Sequence, residues 1–271
     1  MCRMLALAAT ILTLLAAPAF AAPATTPTAA PAPAGPAPRV KATPAQRAEA
    51  ARVDPLARAA FWARELEIDA RDTQAGLGLA MALRQLGRYP EAADAAGQVL
   101  VIEPENIDAL LEAARAQIGR GQGFYAIEPA RHAQALAPRD WRPVALLAVA
   151  YEQADRDDEA LAAHRQALAL APGEPAVLAN LAMYYAGHGD FAQAEQLLRR
   201  AVTLPRADAR VRQNLALVVG LQGRLPEAEQ LVRQDLPPDQ AANNIAWLKA
   251  ATARAPTGEG RSWSAVTGGG S

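Results

Sequence analysis

The chain has 271 residues, a formal net charge of −1 and a single cysteine. Such a balance gives no footprint for nucleic acid, which calls for a concentrated basic face, and does not suggest a polybasic patch for a membrane surface. Lys41 and Lys249 are the only lysines, and serine occurs only at Ser262, Ser264 and Ser271.

The N-terminus reads as a cleaved secretory signal. Arg3 precedes an apolar run over 5–17, too short to span a bilayer comfortably, and Ala19-Phe20-Ala21 supplies the small-residue cleavage pattern. Cleavage is expected after Ala21. Cys2 lies before the apolar run, where a lipid-bearing cysteine would follow it. The mature chain is therefore expected to be periplasmic, without disulfide or lipid anchor, and held together by packing alone. Residues 22–44 carry seven prolines among alanine and threonine and predict a disordered, extended linker.

Helical character begins at Ala45. Asp54-Pro55 pairs a capping side chain with proline at the first helical position, and Leu56, Ala59, Phe61, Ala63, Leu66 and Ile68 recur at mostly helical spacing. Residues 55–68 are read as a lone helix. Beyond it two alanine series run at a period of 34: Ala80, Ala114, Ala148, Ala182, Ala216, and Ala92, Ala126, Ala160, Ala194, Ala228. Gly87, Gly121, Gly189 and Gly223 keep the same period with Asp155 in the remaining place, and Pro104, Pro138 and Pro172 close three units. Five helix-turn-helix units are predicted, at 73–106, 107–140, 141–174, 175–208 and 209–239. The alanines mark where helices approach most closely, and the glycines end each first helix in a left-handed residue.

Three units depart from the pattern. Pro129 predicts a short or kinked second helix in the second unit. Asp155 to Asp158 predict a solvated charged turn in the third. The fourth lacks its closing proline and has Pro205 instead. Pro237-Pro238 ends the fifth unit, and Asp239 caps a closing helix over 240–254 that covers the exposed end of the stack. The tail, 255–271, has no apolar period and is expected to be disordered.

The 34-residue period resembles the tetratricopeptide repeat. The fold class this implies is all-α: a solenoid in which helix hairpins form a right-handed superhelix, with an N-terminal lone helix and a C-terminal capping helix. In that class the first helices line a concave groove. Counting from each unit start places Met81, Arg84, Glu112, Arg115, Asn180, Met183, Arg210, Gln213, Asn214 and Leu217 there. Asn180 and Asn214 hold the same position in consecutive units, although asparagine disfavours a helix interior. Two readings fit them: a grip on the backbone of an extended peptide, or a hydrogen bond between helices of the stack. Met81, Met183 and Leu217 fit adaptable apolar contacts or core.

Catalysis finds little footing. Without serine or cysteine in the folded body there is no such nucleophile. His132, His164 and His188 form no metal-binding pair and are expected at the surface. Gly76-Leu77-Gly78 falls inside a helix, so it is no dinucleotide loop. No cofactor is expected.

A narrower resemblance rests on Asp208-Ala209-Arg210-Val211-Arg212-Gln213-Asn214-Leu215-Ala216-Leu217, on Gly220 to Arg224, on Asp235-Leu236-Pro237-Pro238 and on Asn243-Asn244-Ile245-Ala246-Trp247-Leu248. With Ala59-Ala60-Phe61-Trp62-Ala63, these segments are similar to TadD-type proteins of the tight-adherence (Flp) pilus system. The resemblance implies a scaffold that helps assemble or localise the pilus secretion machinery, with an outer-membrane secretin or another assembly component as partner. The alternative is a periplasmic adaptor for another envelope machine, such as polysaccharide export. Many such relatives carry a lipid anchor; none is expected here, so any outer-membrane association would come through a partner.

Overall fold

A computed structural model describes residues 40–254; the expected signal, most of the linker and the tail lie outside them. Thirteen α-helices make up this unit, and no strand occurs among the described residues. They are α1 (Pro44–Ala50), α2 (Pro55–Ile68), α3 (Thr73–Gln85), α4 (Tyr89–Ile102), α5 (Ile107–Gly119), α6 (Gly123–Leu136) and α7 (Trp141–Gln153). The remainder are α8 (Asp157–Leu170), α9 (Pro175–Gly187), α10 (Phe191–Val202), α11 (Ala209–Leu221), α12 (Leu225–Val232) and α13 (Pro238–Arg254). The pairs α3/α4 to α11/α12 are the five expected units, and α13 is the expected closing helix. None of the described helices is long and apolar enough to cross a membrane.

The alanine series is the contact surface. All ten alanines are at most 1% exposed. Successive first helices (α3, α5, α7, α9, α11) touch one another and the second helix of the preceding pair. Each second helix packs on the first helices on either side of it. The first helices therefore form one layer and the second helices the other, with methyl-sized side chains where the layers meet.

The turns obey the same count. Gly87, Gly121, Gly189 and Gly223 all have φ between +70° and +87°, and Asp155 takes the same left-handed place at φ +54°. A further series becomes evident at the helix starts. Asp72, Asn106, Asp140 and Asp208, again in 34-residue register, cap the first helices with their side chains. Glu174 breaks it, and Pro175 opens α9 in its place. Where the closing proline is missing, α10 is two residues shorter than α8.

Three expectations need correction. Pro129 does not shorten α6, which at 14 residues is as long as α4 and α8. The proline removes one N–H donor, and Tyr125, whose carbonyl that donor would reach, sits at the surface. The charged turn ends at Arg156; Asp157 and Asp158 belong to the first turn of α8, where acidic groups complement the helix dipole. The helix α2 is not alone, because α1 precedes it.

That short helix is fastened by charge. Thr43 and Gln46 form a capping box around Pro44. Arg47 sits 2.7 Å from Glu65 and 2.6 Å from Asp72, both of which are nearly buried. Its guanidinium also lies 5.7 Å from the centre of the Trp62 ring. Lys41 binds Asp69 at 2.5 Å, and the Ala42 N–H donates to Glu65. Open clefts flank α1 and Ala50 is its one buried residue, so packing contributes little to its seat. The Arg47 hydrogen bond, chiefly, holds the Asp72 carboxyl down at about 2.

Candidate peptide-binding groove

Positions on the first helices separate into two groups. In the N-terminal units the expected groove charges are used within the fold. Glu112 is 2% exposed and accepts from Arg84 Nε at 2.6 Å and Arg115 Nη1 at 2.5 Å. This three-residue bridge ties α3 to α5. Glu112 is therefore not on an open face, which corrects the expectation for that residue; a buried carboxylate needs both cations. Arg84 and Arg115 stay about 30% exposed above it, at 27% and 31%. Met81 is exposed on α3.

The C-terminal units arrange theirs differently. Asn180 on α9 and Asn214 on α11 line one cleft of about 410 Å³, with Arg206, Asp208 and Arg210 at its rim. Both asparagines are half-buried, and neither side chain hydrogen-bonds to another described residue. Of the two readings of this pair, a bond between helices is not formed. The acids of the cleft are already committed. Glu174 pairs with Arg206 at 2.9 Å, and Asp208 accepts from the Val211 N–H and from Arg210 Nε. Those bonds, against the burial of Asp208, keep its carboxyl below the ordinary range.

A second cleft of about 330 Å³ lies on the other side of α11, against α13. Asn214 lines this one too, with Gln213 and Leu217 from α11 and Asn244, Trp247 and Leu248 from α13. Here α13 comes close because Gly220 has no side chain: a Cβ there would meet Leu248 Cδ1 at 2.5 Å. Trp247 remains 47% exposed. Met183 does not join either cleft; it packs on the core between α9 and α11. Thus Asn180, Arg210, Gln213, Asn214 and Leu217 come together on two adjoining clefts. Trp247 and Arg206 join them, and the 34-residue count did not single these out because neither lies on a first helix.

Other chemistry-bearing groups settle into structure. His164 is 1% exposed, bonded to Glu152 and beside the Tyr184 ring at 5.4 Å. This corrects its expected surface position: the buried imidazole has a carboxylate partner. His188 also packs on Tyr184, its ring centre 4.1 Å away. No cluster of His, Cys, Asp or Glu suited to a metal occurs among the described residues. Gly76 and Gly78 sit inside α3 as close-contact points; a Cβ at Gly78 would strike the Trp62 ring at 2.5 Å.

Comparison with known proteins agrees with this geometry. Residues 144–176 and 176–204 each match a family model described as tetratricopeptide repeat. Among solved structures, the thermophilic tetratricopeptide protein TTC0263 of Thermus thermophilus is 25% identical, with a TM-score of 0.59. The match covers 66% of this chain and 99% of that one. A tetratricopeptide repeat protein of Parabacteroides merdae is 13% identical, TM-score 0.64, with 76% and 80% coverage. PilF of Pseudomonas aeruginosa is 21% identical, TM-score 0.52, with 69% and 86% coverage. The last two show likeness of fold alone. No curated protein sequence matches. The fold is a tetratricopeptide-repeat solenoid.

Proposed function

We propose that the protein is a non-catalytic scaffold of the cell envelope that holds an extended peptide of a partner protein across α9, α11 and α13. The observation that carries this is the pair Asn180 and Asn214. Their amides, one repeat apart, line one cleft without a hydrogen-bond partner among the described residues. A primary amide both donates and accepts, as a peptide backbone does, so two at helix-to-helix spacing can hold an extended strand whatever its side chains. The binding faces of solenoids of this kind are built from such repeated positions.

The resemblance of 208–248 to TadD-type proteins supports a finer reading: assembly or localisation of the Flp pilus secretion machinery, with an outer-membrane secretin or another pilus component as partner. The expected signal sequence supports a periplasmic site. An adaptor for another envelope machine is the alternative. A pilin, a secretin and a secretion ATPase encoded beside the gene would favour the pilus reading; polysaccharide-export genes in their place would favour the other.

The test is capture of partners from envelope extract by the mature chain and by an Asn180→Ala/Asn214→Ala variant. Capture of a pilus component by the first and not by the second, at an unchanged melting temperature, is expected. A large fall in melting temperature with capture intact would place both amides in the core and refute the reading.

A further inference from the structure

The joint between the third and fourth units is built from different residues than the others. His164 on α8 stands where the other second helices carry Ala96, Ala130, Leu198 and Val232, all buried. Tyr184 on α9 stands where the other first helices carry Ala82, Ala116, Ala150 and Val218, again all buried. Glu152 on α7 answers to Ile118, Ala186 and Gly220, and to Arg84 of the charge bridge in the first unit. These three departures from the repeat meet at one place. His164 bonds to Glu152, and its ring lies 5.4 Å from that of Tyr184. The Tyr184 hydroxyl donates to the Asp157 carbonyl at 3.4 Å. His188, just past α9, packs on the Tyr184 ring and comes within 3.6 Å of the Asp157 carboxylate.

Directional contacts have here replaced methyl packing. A tyrosine ring where its counterparts have alanine or valine holds α9 off α8. Of the joints between successive units this one is the most sparsely packed, both between α8 and α9 and between the first helices α7 and α9. Few apolar contacts mean a low free energy of local opening. The polar contacts add little resistance, because Glu152 and His188 are 32% and 44% exposed and water can take their place. We infer that this joint is the hinge of the solenoid. Units one to three move as one body, and units four and five with α13 as another, α9 rocking on the Tyr184 ring. Both clefts lie on the second body, so the motion re-aims them without altering them. The hinge therefore does not depend on the peptide-binding reading.

Spin-label distances test it. Asp94, Glu128, Ala162 and Gln196 hold one repeat position on successive second helices, and all are exposed. Cys2, the only cysteine, falls in the expected signal, so the chain from Ala22 accepts paired cysteine labels without interference. Labels at 128 and 196 span the joint between units three and four; labels at 94 and 162 span only joints of the ordinary kind. Pulsed dipolar spectroscopy is expected to give a broader distance distribution for the first pair than for the second. Glu152→Ile/His164→Ala/Tyr184→Ala copies the joint between units two and three, where Ile118, Ala130 and Ala150 stand. In that variant, with helicity retained, the first pair should narrow to the width of the second. Equal widths in the native chain overturn the hinge, whether or not the triple variant folds. A first pair that stays broad in the folded triple variant overturns its assignment to this cluster. Asn180→Ala/Asn214→Ala should leave both widths unchanged, which separates this result from the capture experiment.

Discussion

Ala182→Leu probes the alanine series where two units meet. Ala182 is fully buried, in a cluster that joins α9, α10 and α11 with α13. Leucine adds three carbons at a point where the helices leave no space for them. The new side chain must leave its preferred rotamer or push the helices apart, a cost of about 1–3 kcal/mol. Ala192→Leu is the matching control, because Ala192 is exposed on α10, two residues from the buried Ala194; there the change should stay within about 0.5 kcal/mol. Urea unfolding followed by circular dichroism gives the comparison. Repeat arrays do not always unfold in one step, so hydrogen exchange across α9–α11 should accompany it. Equal midpoints for the two variants would refute the claim that small side chains set the helix spacing.

Three further outcomes follow. Asp155→Gly should stabilise by about 0.5–1 kcal/mol, because a glycine replaces the one non-glycine residue among the five left-handed turn positions; an unchanged or lowered midpoint contradicts this. Asp72 has its folded pKa depressed to about 2 from 3.8, so its contribution is present above pH 4 and lost as pH falls toward 2. From that shift the loss is about 2 kcal/mol, and Asp72→Asn should remove this part of the acid sensitivity. Arg47→Ala leaves Glu65 and Asp72 without their principal cation. Because α1 can lift away and admit water, exchange protection should vanish in α1 while α3 to α12 keep theirs; protection lost throughout would mean that α1 is integral to the stack.

Most of the architecture was legible because a period of 34 leaves the same mark five times. The alanines, the turn glycines and the closing prolines each report one geometric constraint, and each expected unit start coincides with the first residue of a helix. Signals that occur once were harder to see. Thr43-Pro44-Ala45-Gln46 is a capping box with proline at the first helical position, yet it lies at the edge of a proline-rich stretch that reads as tether. The capping series at 72, 106, 140 and 208 was present in the sequence and is a stronger marker of helix starts than the prolines. The fates of Glu112 and His164 were not legible, because each depends on partners from another helix. Trp247 was visible only as part of a closing helix. Its cleft exists because α13 docks against Gly220, a contact that no spacing rule specifies.

The most direct test of the account is the 15N–1H spectrum of isotopically labelled mature chain, titrated with the peptide segment of the component captured from envelope extract. The Asn180 and Asn214 NH2 signals and the Trp247 indole N–H are predicted to shift together and saturate at one concentration. Binding that leaves all three unmoved, while the backbone N–H signals of the exposed pair Phe124 and Tyr125 on α6 shift, would contradict it.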